Sequence, residues 1–208
     1  MADNSITVVD YGMGNIWSVL SALRYLGSNP IVSNDPDEVC RADALVLPGV
    51  GSFRKAMNTL RATGLDQAIL EAVKMRGSKI LGICLGMQML GSRGTEDGDT
   101  AGLGLIPNRV ERFTPQELGK NKIPHIGFNA VRSSQRDSLF RNLPETADFY
   151  FVHSYRMLHE GQEGKTATCT YGIDFLAAFE IDNIHGTQFH PEKSQTNGLI
   201  LLRNFLEL

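Results

Sequence analysis

Apolar, β-branched runs alternate with helix-patterned stretches through the first ninety residues, and that order leaves few folds open. The runs are SITVVD at Ser5–Asp10, NPIVS at 29–33, ALVL at Ala44–Leu47 and SKILGI at 78–83. After the first, two glycines in YGMGN break the strand. Ile16, Val19, Leu20, Leu23 and Leu26 then fall at helical spacing, with Asn15 placed to cap that helix and Gly27 to stop it. Pro48 and Gly49 end the third run. Helices are expected at about 52–63 and 65–76, with Gly64 between them and Gly77 after. Strand–helix–strand order pairs the strands in parallel and packs the helices on the sheet faces. The second half reads differently: GLGLIPNRVERF, KIPHIGFNAV, ADFYFVHSYR, GKTATCTYG, FLAAFEIDN and IHGTQFH are short β-type runs divided by turn residues. In the last stretch, Glu192–Leu208, Leu199, Leu202, Phe205 and Leu206 share one face of a closing helix. No repeat or linker divides the chain, so the expectation is one α/β domain over residues 1–208, its mixed sheet extended by antiparallel strands.

Composition narrows the class. With 42% hydrophobic and 21% charged residues, the chain has the make-up of a soluble globular protein. Net charge is −3 and no Lys/Arg run stands out, so no nucleic-acid partner is expected. The start, MADNSITVVDYG, lacks the pattern of a secretion signal, and the apolar run at 80–90 is too short for a bilayer. Cys40, Cys84 and Cys169 are odd in number, far apart and without CxxC spacing. That argues against a disulfide framework or a metal site, and for a reducing, cytoplasmic setting.

Three stretches carry chemistry. In GICLGMQ, a strand runs into Gly-x-Cys-x-Gly and then a helix, the layout of a nucleophile elbow. Gly82 and Gly86 clear side chains from a crowded turn, and the new helix aims free N–H groups and its positive end at the Cys84 sulfur, favouring thiolate. A buried structural cysteine gives the same local string, so the motif alone leaves both readings open. In GTQFHPEKS, His190 can exchange a proton with a thiol, and Glu192, two residues on past the rigid Pro191, can hold its other ring nitrogen. A loop histidine beside an exposed glutamate is the plain alternative; Cys84 and His190-x-Glu192 together form a stronger signal than either. His125, His153, His159 and His185 lack such an arrangement and are expected to be structural or exposed; Cys40 and Cys169 are expected to be structural. In LPGVGSF, a strand ends in a glycine-rich loop whose amides, from Gly49, Val50 or Gly51, could join that of Leu85 in holding an oxyanion. A simple strand-to-helix turn is the alternative there. DYGMGN lacks the third glycine of GxGxxG and the lysine of a P-loop.

Taken together, PGVGSF, GICLGMQ and QFHPE resemble, in order and approximate spacing, the class I (triad) glutamine amidotransferases over essentially the whole chain. The resemblance implies their three-layer α/β fold, with a mostly parallel central sheet, helices on both faces and an antiparallel extension. It implies Cys84 as nucleophile, His190 as base and acid and Glu192 as its orienter, hydrolysing glutamine to glutamate and ammonia through a γ-glutamyl thioester, without metal or cofactor. DYGMGN, PHIGFN, YFVHSY and HPEKS look like the branch that serves imidazole glycerol phosphate synthesis. There the partner is a cyclase with a (β/α)₈ barrel, which takes up the ammonia and converts the ribonucleotide PRFAR to imidazole glycerol phosphate and AICAR. Carried over by motif, Gln88, Glu96 and backbone groups of His153, Ser154 and Tyr155 should contact glutamine. Asn15, Phe128, Tyr150 and Lys193 should lie at the cyclase interface, with Phe128 where that branch commonly has tryptophan. Other readings stay open: a glutaminase serving another synthase, a hydrolase acting alone, or an interaction module without activity.

Overall fold

A computed structural model describes residues 6–135, 137–160 and 163–208. Residues 1–5, including the Ser5 that opens the first expected strand, lie outside them. The first strand, β1 (Ile6–Val9), is followed by α1 (Ile16–Tyr25), β2 (Ile31–Ser33), α2 (Pro36–Arg41) and β3 (Ala44–Gly49). Next come α3 (Phe53–Thr63), α4 (Leu65–Leu70), β4 (Lys79–Cys84) and the short α5 (Leu85–Met89). Alternate residues of the central strands serve opposite faces. Ile6, Val8, Val46, Leu81 and Ile83 pack with α1 and the C-terminal helix, whereas Val9, Leu45, Leu47 and Ile80 pack with α2–α5.

The second half adds β5 (Arg93–Gly94), β6 (Thr100–Ala101), β7 (Arg109–Arg112), α6 (Pro115–Leu118), β8 (His125–Arg132) and β9 (Thr146–His153). It continues with β10 (Tyr155–Met157), β11 (Lys165–Tyr171), β12 (Ile173–Ile181), β13 (Ile184–Thr187) and α7 (Gln195–Glu207). The large sheet has the order β2-β1-β3-β4-β13-β12-β11-β8-β9; a small one runs β10-β7-β5-β6. Pairing is parallel from β2 to β13 and antiparallel from β13 to β9. The expected mixed α/β sheet with an antiparallel extension is therefore present. No helix among the described residues is long and apolar enough to cross a membrane.

Local expectations differ from the structure in four places. Strand β3 does not stop at Leu47 but continues through Pro48 to Gly49; its pairing with β1 ends at Val46, so the N–H that proline lacks is not needed on that side. The helix expected over 65–76 is α-helical only to Leu70 and then widens into a π-turn at Glu71–Met75. Asn15 precedes α1 but makes no side-chain cap. Of GLGLIPNRVERF, only Arg109–Arg112 is a strand.

Candidate active site

Cys84 is the last residue of β4, and α5 starts at once after it. Its φ of 54° lies in the left-handed region, which costs a non-glycine residue energy and is found where a side chain must be presented at a tight turn. Both neighbouring glycines are needed for close approach. A Cβ on Gly86 would stand 1.8 Å from the Leu47 carbonyl oxygen, and one on Gly82 2.7 Å from the Met87 backbone. In register, Cys84 is flanked by Gly49 on β3, while β13 pairs Thr187 with Ile83 and so brings Gln188 next along beside it.

His190 follows β13 and is buried. Its Nδ1 lies 2.8 Å from the Glu192 carboxylate, whose side chain is 1% exposed. Its N–H donates to the Tyr150 carbonyl (2.8 Å), and Ser194 donates to the His190 carbonyl (2.6 Å) while accepting from the Tyr150 N–H (2.9 Å). The His190 backbone is thus tied to β9 directly and through Ser194, while the ring itself is held by Glu192. Burial works against the imidazolium, but the charges and hydrogen-bonding capacity of Cys84 and then Glu192 outweigh it, and the His190 pKa is raised to about 10. The Nε2 atom makes no hydrogen bond of ordinary geometry, although the sulfur is the leading influence raising the ring's pKa. Such contacts commonly tighten only when substrate binds.

A cavity of about 340 Å³ opens over the sulfur. Cys84 and His190 line it, and so do Val50, Gly51 and Leu85 among the oxyanion candidates and Gln88, Glu96, His153, Ser154 and Tyr155 among the substrate candidates. Gly49 does not; it sits under the loop, where a Cβ would meet the Tyr11 hydroxyl at 2.6 Å. Val50 lines the cavity, yet its N–H donates to the Met13 carbonyl at 3.3 Å. Glu96 accepts from the N–H of Phe53, the first residue of α3, at 3.0 Å. Its pKa is raised by burial against the pull of that bond. His153 is not merely structural: it lines the cavity and pairs with His125, Nδ1 of His125 lying 3.0 Å from Nε2 of His153. Burial pushes His125 down to about 4 and His153 to about 3, so the pair is neutral near pH 7. His185 is buried and His159 exposed, as expected. Cys40, Cys84 and Cys169 are all free thiols.

Away from the cavity, Phe128 and Tyr150 pair across β8 and β9 with ring centroids 5.6 Å apart, and Lys193 lies 5.9 Å from the Tyr150 ring. Phe128 is 51% exposed. The helix that Asn15 precedes packs on the Pro191–Lys193 turn. Sequence reasoning passed over Tyr11, Gln188 and Ser194. The Tyr11 hydroxyl is buried without a partner among the described residues, and burial, then the Cys84 charge, drive its pKa upward. Gln188 donates to the Cys84 sulfur at 3.6 Å. Both stand in stretches already singled out, DYGMGN and GTQFHPEKS, but neither type announces a role beside a thiol.

The family profile for class I glutamine amidotransferases matches residues 7–208. Imidazole glycerol phosphate synthase subunit HisH 1 of Parasynechococcus marenigrum (strain WH8102) is 43% identical over 204 residues, covering 98% of this chain and 97% of that one. The HisH subunit of Moorella thermoacetica is 46% identical over 203 residues, covering 98% and 94%. Among solved structures, PurLQS from Thermotoga maritima superposes with a TM-score of 0.74 at 18% identity, covering 98% of this chain and 97% of that one. A glutamine amidotransferase from the same organism gives 0.67 at 16%, covering 100% and 98%. At such identities the two structures bear on the fold alone.

Proposed function

Because the chain belongs to the class I glutamine amidotransferases, in the branch of the HisH subunits of imidazole glycerol phosphate synthase, we propose that Cys84, His190 and Glu192 are its catalytic triad and that the domain spans residues 1–208. The activity is that of the glutaminase subunit: glutamine is hydrolysed to glutamate and ammonia, and the ammonia serves a cyclase subunit in histidine biosynthesis. The Cys84 sulfur attacks the γ-carbonyl carbon, and the C–N bond breaks as His190 gives its proton to the departing ammonia. Water, deprotonated by the same imidazole, then attacks the thioester and releases glutamate and the thiol. Glu192 holds Nδ1 and so aims Nε2 at the reacting atoms. Gln88, Glu96 and the His153–Tyr155 turn grip the substrate, and three unpaired thiols suit a cytoplasmic setting.

The observation that carries the reading is the joining of Cys84 and a buried His190–Glu192 pair in one cavity. The Leu85 amide is one oxyanion donor and a Gly49–Gly51 amide the other. With the Val50 N–H bonded to Met13, that second donor is turned away, so the free subunit idles. We place the cyclase, a (β/α)₈ barrel, on the face of Asn15, Phe128, Tyr150 and Lys193; its docking next to the 49–51 loop would release Val50. The test is a glutaminase assay of the chain alone and with cyclase plus its nucleotide ligand. Very low turnover alone and a sharp rise in the complex are expected. Full activity of the free chain would overturn the coupling, and no activity in either would overturn the glutaminase reading.

A further inference from the structure

We infer that Gln188 is a positioning residue for the nucleophile, holding the Cys84 sulfur by a donated hydrogen bond whose direction is imposed from the far side of the cavity. The inference deepens the reading of Cys84 as nucleophile and rests on it.

Four groups fix the direction. The Tyr155 carbonyl can only accept, so the Gln88 side chain must turn its NH₂ toward it, at 2.9 Å. The second hydrogen of that NH₂ points to Gln188, 2.9 Å away, which must therefore present its oxygen. The Gln188 amide is then left with its own NH₂ facing the sulfur at 3.6 Å, an ordinary length for a donor to sulfur. A flip of either amide would set donor against donor or oxygen against oxygen in a buried place, which is expensive. The chain continues beyond Tyr155, whose carbonyl also lies 2.8 Å from Nδ1 of His153. That makes Nε2 of His153 the acceptor from His125, and Nε2 of His125, 3.4 Å from the Asn129 amide, an acceptor in turn. Every link has one sense only, and the last points at Cys84.

Gln188 is fully committed, its side-chain oxygen to Gln88 and its NH₂ to the sulfur. It is 0% exposed, its N–H is used by the Ala177 carbonyl at 2.8 Å, and it stands in register with the nucleophile one strand away. An amide N–H favours sulfur when it is charged and loses most of its hold once the sulfur is acylated. Gln188 therefore acts on the attacking form and not on the intermediate. The same geometry limits Gln88, whose NH₂ is already committed. Only its Oε1 is left to a ligand, so Gln88 meets glutamine as an acceptor.

The test is iodoacetamide labelling of Cys84, followed by mass spectrometry from about pH 5 to about pH 10, in the full chain and its variants. Glutamine turnover in the complex is measured alongside. In Gln188→Leu the half-point of labelling should move up by about one pH unit, with no fall in the high-pH plateau, because the freed thiolate is more basic. Glutamine kcat should fall about tenfold. A merely structural role would lower the plateau instead of moving the half-point, and an unchanged profile would also overturn the inference. If Gln188→Leu does not fold, a second donor-free variant decides. Gln188→Met, of similar length and without a donor, takes its place, and its half-point should likewise move up by about one pH unit; an unchanged half-point overturns the inference. The underlying reading fails separately, if Cys84→Ala retains glutaminase activity in the complex whatever the Gln188 variants do.

Discussion

In β3 and β4 every residue but Lys79 is buried, whereas along β9 buried residues alternate with exposed or half-exposed ones and along β8 exposed residues alternate with buried or half-buried ones. The parallel half is covered by helices on both faces; the antiparallel half leaves one face open, and that face carries Ile126 and Phe128, two large apolar side chains in solvent. The proposed chemistry stands at the C-terminal ends of the enclosed strands, with Cys84 the last residue of β4, Gly49 the last of β3 and His190 just beyond β13. The open strands supply the cavity wall at His153–Tyr155 and the surface proposed for the partner. Reacting groups gain from rigid, fully paired strands, and contact with a second subunit needs a side that no helix occupies.

This contrast can be broken most forcefully at Cys84, the proposed nucleophile. Cys84→Ala should lower glutamine-dependent synthesis in the complex by at least about 10⁴-fold, while added ammonia still supports the cyclase reaction. Loss of both would show that the enclosed half does more than supply ammonia. Glu192→Gln should cost about 10³-fold in kcat, as expected when an imidazole loses its orienting carboxylate. His190 offers a pH test of the same pair. Its folded-state pKa of about 10 exceeds that of free histidine, about 6.5. The stability it contributes is therefore complete below about pH 6.5 and lost as pH rises through about 10. An NMR titration should give a lower His190 midpoint in Cys84→Ala, since burial remains and the leading opposing influence is gone. An unchanged midpoint would deny the sulfur its part.

Val50→Pro removes the N–H now held by Met13, and glutaminase activity in the complex should drop about 10²-fold if that amide completes the oxyanion site. Circular dichroism of the variant checks its fold. Two glycine substitutions compare the halves directly by denaturant midpoint. Gly86→Ala drives a methyl into the Leu47 carbonyl and should cost about 3 kcal/mol. Gly127→Ala in β8 meets nothing within 4 Å, and its φ of 126° alone should cost about 1 kcal/mol. Equal costs would erase the distinction drawn between tight and open strands. Smallest of all, Phe128→Ser should weaken the cyclase complex about five- to tenfold, read by titration calorimetry, without altering Cys84 labelling in the free chain.

Much of the parallel half was legible in the sequence, because a buried strand leaves a β-branched run and a helix leaves a periodic one. Cys84, His190 and Glu192 were legible for a different reason: each sits within a few residues of the glycine or proline that shapes its turn. Gln188 and Tyr11 were not. Their meaning depends on which strand lies beside β4, and that is set by pairing across about a hundred positions. The small sheet escaped because β5 and β6 are two residues each, too short for any alternation. The Pro48 break was misjudged because proline ends a strand only where its missing N–H is required.

The parallel ladder between β4 and β13 has a practical consequence. The proposed nucleophile and base, Cys84 and His190, emerge from adjacent strands in the middle of the sheet, so separating them means breaking the centre of the protein rather than loosening an edge. Thermal inactivation of the complexed enzyme should therefore follow the unfolding curve of this chain closely, with no temperature range in which it is folded but has lost its acid–base pair.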